Sequence, residues 1–240
     1  LNIFWKEIAE ASARSDHGRV ARLYRKVNRG FVMFSATVAG LLQPWSEQIV
    51  TILLGPAYAN AWPVLAIMLL YPVHQTMGQI GGTLFMARGH TRIHVIVNTA
   101  TLPVYALCSY LAMAPTSGVL VPGLGLGAIG MAGNMVAVNI VSVNIQAWVI
   151  ARVSGWEYDW LHQVIGIPLI LGLGYLARAA VELVWRLDGA GIAELIVPMI
   201  SMCLVYVVFV AATAWTLPGL MGLERAEVKW LLEKLRGLRA

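Results

Sequence analysis

LGLGAIGMAGNMVAVNIVSVNIQAWVI, residues 124–150, carries no charged side chain and is longer than the roughly 20 apolar residues a membrane-spanning helix needs. A buried helix of a soluble protein is shorter. Stretches of the same character lie on both sides of it: Gly30–Leu54, Trp62–Met86, Ile93–Ala114, Leu161–Trp185 and Leu195–Leu217. Fifteen of the seventeen Lys and Arg residues fall in alternate gaps: Lys6, Arg14, Arg19, Arg22, Arg25, Lys26 and Arg29; Arg88 and Arg92; Arg152; and Arg225, Lys229, Lys234, Arg236 and Arg239. The opposite side has only Arg178 and Arg186. Short cytoplasmic loops hold the Lys/Arg excess, so the pattern predicts an all-α polytopic membrane protein of about six transmembrane helices with both ends of this chain cytoplasmic.

Composition agrees. Hydrophobic residues make up 59% of the chain and charged residues 12%, roughly half the charged share of a soluble domain. The net charge of +5 is gathered on one membrane face, where anionic lipid is the nearer partner. The basic residues are not regularly interleaved with aromatics for base stacking, which argues against nucleic acid. Cys108 and Cys203 both fall inside apolar stretches and read as small packing residues, not as a disulfide or metal pair. The chain opens on Leu1 without a basic signal-peptide region and reads as a fragment of a longer chain.

Four regions follow. Residues 1–29 read as the cytoplasmic end of a preceding span plus a basic amphipathic linker, with Val20, Leu23, Tyr24 and Val27 at helical spacing, lying on the inner leaflet. Residues 30–152 form a four-helix core, and residues 153–221 an additional transmembrane pair. Residues 222–240 read as a basic amphipathic tail, with Val228, Leu231, Leu235 and Leu238 against Arg225, Lys229, Lys234 and Arg236. Trp45, Tyr58 and Trp62 fall near one boundary and Trp156, Tyr158 and Trp160 near the other, as interfacial anchors do. Arg178 and Glu182, four residues apart, can pair on one helix face.

Polar residues recur at helical spacing inside the stretches. Gly40, Gln43, Glu47 and Thr51 share a face of the first. His74, Gln75, Gly78, Gln79, Gly81 and Gly82 share a side of the second. Asn98, Thr101, Tyr105 and Ser109 align in the third, and Asn139, Ser142 and Gln146 in the fourth, with Asn134 and Asn144 off that stripe. A lone polar residue serves as interhelical glue worth about 1 kcal/mol or less. Polar faces on four successive spans predict a shared hydrated cavity lined by Gln75, Gln79, Asn98, Asn139, Ser142 and Gln146. Amides and hydroxyls suit a sugar-like ligand better than a bare ion. The plainer readings are close packing for the glycines and interhelical hydrogen bonds for the amides. His74 and Glu47 are the candidates for coupling to an ion, Na+ or H+. The alternatives are a neutral histidine bonded across helices and a glutamate reaching the interface. Arg88 and Arg92 are candidate phosphate contacts at the cytoplasmic mouth, against the simpler reading of positive-inside anchors.

Three patterns carry no chemistry. Gly125-Leu126-Gly127-Ala128-Ile129-Gly130 matches a dinucleotide fingerprint but opens an apolar span, and its first downstream acid is Glu157. His90 and His94 have metal-like spacing, yet Arg88 and Arg92 beside them repel a cation and no carboxylate completes a site. No nucleophile triad or carboxylate pair is legible, so the sequence predicts no enzyme, no metal and no cofactor beyond a coupling ion.

The motifs, taken in order, resemble a known family. Phe4-Trp5-Lys6-Glu7-Ile8-Ala9-Glu10-Ala11, Asp16 and Arg19-Val20-Ala21-Arg22-Leu23-Tyr24-Arg25-Lys26 resemble the cytoplasmic segment before the ninth span of Wzx-like polysaccharide flippases. Leu54-Gly55-Pro56-Ala57-Tyr58 resembles their short outer turn, Ala87-Arg88-Gly89-His90-Thr91-Arg92 their basic loop, and Gly125–Gly130 their glycine-rich helix opening. These flippases belong with MATE transporters and lipid II flippases in the multidrug/oligosaccharidyl-lipid/polysaccharide exporter superfamily. The resemblance implies the C-terminal lobe of a MATE-like two-lobe transporter in the bacterial inner membrane. Its expected cargo is undecaprenyl-pyrophosphate-linked oligosaccharide, and its expected partners are the N-terminal lobe and other polysaccharide-assembly proteins. The family's cavity is typically cationic, whereas these spans supply few cations; the resemblance leaves that role to the N-terminal lobe or to Arg88 and Arg92. A cation-coupled multidrug antiporter of the same superfamily, an integral-membrane polysaccharide polymerase or ligase, and a scaffold without transport are the competing readings.

Overall fold

The computed structural model describes residues 6–8, 10–11, 14, 16–117, 121–185 and 192–227. Residues 1–5, Arg186 and the expected amphipathic tail from Val228 onward lie outside the described residues.

The central helix, α1, is His17–Leu42. Asp16 caps it, Oδ1 accepting from the Arg19 amide at 2.9 Å. Val20, Tyr24, Asn28, Val32, Ala36 and Ala39 are buried at three- to four-residue steps, one stripe along its whole length. No breaker separates the basic segment from the apolar one, so linker and span form one uninterrupted helix.

The break falls at Pro44 instead. A short 3-10 turn, Gln43–Trp45, separates α1 from α2, Ser46–Leu54. Proline offers no amide and crowds the preceding turn. The expected stripe Gly40–Gln43–Glu47–Thr51 therefore does not run along one continuous helix. A second proline acts likewise in the next stretch: α3, Trp62–Met68, and α4, Tyr71–Ala87, are separated before Pro72. There the Leu70 amide donates to the Ile67 carbonyl, which leaves the Ala66 carbonyl without its usual partner. Gln43 Nε2 donates to it at 3.0 Å, so one proline break repairs the other. Gln43→Leu should orphan that carbonyl and cost about 1–3 kcal/mol, read as a lower melting temperature of the intact chain.

The remaining long helices are α5, Thr91–Met113; α6, Gly127–Ser154; α7, Leu161–Glu182; and α8, Ile192–Thr216. Helix α6 begins later than its apolar run. The chain first passes along the end of α5, where the amides of Leu124, Leu126 and Gly125 donate to the carbonyls of Leu111, Ala112 and Ala114 at 2.7, 3.0 and 2.9 Å. These close the open last-turn acceptors of α5. Gly125 and Gly127 take φ of 62° and 54° there, which favours glycine.

The helices pack in the order α8, α7, α1, α4, α6, α5. The α1–α7 crossing is tight: a Cβ on Gly174 would strike the Gly40 carbonyl oxygen. Around it lie Val32, Met33, Ala36, Trp45, Val73, Met77, Ile170, Ala177, Met202 and Tyr206. Arg178 fastens α7 to the Pro44 turn. It pairs with Glu182 at 2.7 Å, donates to the Pro44 carbonyl and to Gln48 Oε1 (3.3 Å), and stands 4.9 Å over the Trp45 ring.

Five helices are long and apolar enough to cross a membrane: Pro56–Ala87 taken with its kink, Thr91–Met113, Gly127–Ser154, Leu161–Glu182 and Glu194–Thr216. Helix α1 is not among them, because Arg19, Arg22, Arg25, Lys26 and Arg29 occupy its first half. The outer helices expose large apolar side chains; Leu102 on α5 is 64% exposed and Leu204 on α8 is 65% exposed. Faces of that kind are stable against lipid and costly against water. Among the described residues the chain is all-helical and has the architecture of a multi-pass membrane protein.

Candidate functional site: a polar cleft between α4, α5 and α6

Helices α4 and α6 run parallel and are laced by amides. Asn139 Nδ2 donates to the Tyr71 carbonyl and Gln146 Nε2 to the Gly78 carbonyl, each at 3.2 Å. Tyr71 to Gly78 and Asn139 to Gln146 each advance about two helical turns in the same direction. Glycine permits the approach: a Cβ on Gly78 would lie 2.9 Å from Val143 Cγ2, and one on Gly82 would lie 3.0 Å from His94 Cε1.

Where α5 splays from this pair there is an open cleft of about 450 Å³. Gln75, Gln79, Asn98, Asn139, Ser142 and Gln146 all line it, with Thr83, Met86 and His94. The polar groups divide into two sets. Asn139 and Gln146 spend an amide N–H on the neighbouring helix, and the Ser142 hydroxyl lies 3.2 Å from that of Thr101 on α5. Asn98 Nδ2 sits 3.1 Å from a His94 ring nitrogen. Half-buried Gln75 and exposed Gln79 make no side-chain hydrogen bond among the described residues, so both amides are free for a ligand. No carboxylate lines the cleft.

Beside it lies an apolar groove of about 520 Å³ between α5 and α6, walled by Ile96, Val97, Val104, Val138, Val141 and Ile145. Ser142 belongs to both. Polar and apolar chambers thus meet at one residue.

The other sequence candidates lie elsewhere. His74 points away from the cleft and lines a second opening, of about 390 Å³, with Asn144, Tyr158 and Gln163. Glu47 is exposed in the first turn of α2 and lines neither opening. Arg88 ties three helix ends together: it donates to Ser154 Oγ, lies 3.4 Å from His17 Nδ1 and stacks 5.7 Å over Trp156. Arg92 is exposed, with no hydrogen bond or ion pair among the described residues. His94 lines the cleft and Thr101, already on the polar stripe of α5, meets Ser142, although neither is among the six lining candidates read from the sequence. Their signal was present, since His94 is four residues before Asn98 and shares its helix face.

A salt bridge braces the end of the bundle below the cleft. Arg29 holds Asp159, in the segment before α7, through two bonds of 2.7 and 2.8 Å and also donates to the Gly219 carbonyl at 2.7 Å. Burial alone would push the Asp159 carboxyl up, but His162 and Arg29 beside it hold it well below the usual carboxylate range. A carboxylate with a depressed folded pKa stabilises at pH above its unfolded value, and that contribution fades as pH falls below about 4 toward the folded value. Asp159→Asn should abolish this part of the acid sensitivity. Arg29→Met should cost about 2 kcal/mol at neutral pH and reduce the same acid dependence, both read from unfolding curves across pH.

Among the described residues no group of three or more His, Cys, Asp or Glu could hold a metal. Cys108 and Cys203 are free thiols. No family model, curated protein or solved structure matches this chain.

Proposed function

We propose that the chain is the C-terminal lobe of an inner-membrane flippase that moves undecaprenyl-pyrophosphate-linked oligosaccharide to the periplasmic leaflet by alternating access. The observation that carries this reading is the junction at Ser142 of a neutral polar cleft with an almost wholly apolar groove. A lipid-linked glycan has one part for each: hydroxyls to bond Gln75, Gln79 and Asn98, and a hydrocarbon chain for the wall of Ile96, Val104 and Val141. The order of sequence motifs supports it independently. On this reading Arg88 serves mainly as a structural tie, and Arg92 is the free cation for pyrophosphate. The cation-coupled antiporter is the weaker reading, because no carboxylate lines the cleft. Deleting the encoding gene should accumulate lipid-linked oligosaccharide on the inner leaflet. Undiminished glycan export in the deletion strain would rule the flippase out.

A further inference from the structure

A second polar cluster lies on the other side of α4 and α6, and the polar cleft makes no use of it. His74, His162 and Gln163 are each more than nine-tenths buried, as are Tyr24 and Asn28 of α1. Yet His74 Nδ1, both ring nitrogens of His162, Gln163 Nε2, Asn28 Oδ1 and the Tyr24 hydroxyl have no hydrogen-bond partner among the described residues. So many orphaned groups at one junction would be strongly destabilising if dry. Two spaces reach four of these residues, and His162 adjoins them as the chain neighbour of Gln163. The opening of about 390 Å³ is lined by His74, Asn144, Tyr158 and Gln163. A void of about 10 Å³, close to what one water needs, lies among Tyr24, Asn28, Tyr158 and Asp159.

We propose that this junction is a hydrated proton-binding site in which His74 and His162 together hold one proton. It does not depend on what the polar cleft carries. His162 Nδ1 stands 3.6 Å from Asp159 Oδ1, too far for a direct hydrogen bond but close enough for a charged imidazole to be attracted. Asp159 is already committed to Arg29, so the imidazole, not the carboxylate, takes the incoming proton. His74 shares the larger opening with Gln163, the chain neighbour of His162, and a charge on one ring opposes a second proton on the other.

The surrounding charges allow this. Helix α1 presents Tyr24, Arg25 and Arg29, and the segment before α7 presents Glu157, Tyr158 and Asp159. Helix α6 contributes Ile140, Asn144, Ala147 and Ala151, none of them titratable. Tyr206 of α8 is engaged with the Thr37 and Ile170 carbonyls at 3.1 and 3.3 Å. A proton on His162 gives Asp159 a second cationic partner and weakens the hold of Arg29, so protonation bears directly on the α1–α7 contact.

The test is a titration of the intact chain in zwitterionic nanodiscs with 15N-labelled histidine, from about pH 8 to about pH 5. His17, His90 and His94 are replaced singly by Gln to assign the remaining signals, and none of the three lines the junction. The His74 and His162 rings should exchange with water and take up about one proton between them. His162→Gln should leave His74 as the one ring of the junction that takes up a proton. Neutral ring shifts throughout, uptake of about two protons at independent rings, or absence of water exchange would each overturn the proposal. The parent chain decides the proton count, so a His162 variant that fails to fold leaves the test intact. Flipping activity is not part of the readout, and the fate of the flippase reading is separate.

Discussion

Gly174→Leu is expected to lower the melting temperature of the intact chain by roughly 6–12 °C in detergent micelles, the equivalent of about 3 kcal/mol. At this crossing the obstacle is the Gly40 carbonyl of α1, which is backbone and cannot rotate aside. Even one methyl group requires α7 to withdraw from α1. That withdrawal also loosens Tyr206, whose hydroxyl bonds carbonyls on both helices, and the Arg178 clamp on the Pro44 turn. In lipid, helices associate through close packing and not through a hydrophobic drive, so lost contact is not regained elsewhere. Gly172, two residues earlier, has open space at its Cβ. Gly172→Leu serves as the control and should melt within about 1 kcal/mol of the parent. Equal melting of the two variants would show that the α1–α7 crossing is not a tight contact.

On the proposed flippase reading, Gln75→Leu and Gln79→Leu are expected to slow appearance of lipid-linked oligosaccharide on the outer leaflet about tenfold each, with melting unchanged to within about 0.5 kcal/mol. Neither amide is occupied by the protein, so removing it takes nothing from the fold and one hydrogen bond from a bound ligand. Gln146→Leu makes the opposite pattern. Its amide bonds the Gly78 carbonyl, and its loss should cost about 1 kcal/mol of stability. Transport indifferent to both Gln75 and Gln79 would mean that the ligand does not pass through this cleft.

The apolar stretches and the positions that face the cleft were readable because they depend on local periodicity. Helical spacing alone puts Asn139, Ser142 and Gln146 on one face, and the same holds for Gln75 and Gln79. The stripe through Gln43 and Glu47 misled because it assumed a helix that Pro44 interrupts. His74 was grouped with Gln75 and Gln79, but it is one position removed from Gln75, about 100° of helix rotation. That rotation is enough to carry it off the cleft face of α4 and into the second opening. The Arg29–Asp159 bridge and the Gly40–Gly174 contact join residues far apart in the chain, and no spacing rule reaches them.

The sequence by itself determined an all-helical membrane chain, its apolar stretches and the alternation of its basic residues, since length, hydropathy and charge need no neighbour to act. Only the tertiary structure decided which helices touch. It put α1, the least apolar of the long helices, at the centre, because its small and buried face meets α4 on one side and the glycine of α7 on the other. It separated His74 from the amides of the cleft and set it in one opening with Gln163. The physical reason is the same in each case: a helix fixes the angle between its own side chains, and packing alone fixes which way that helix is turned.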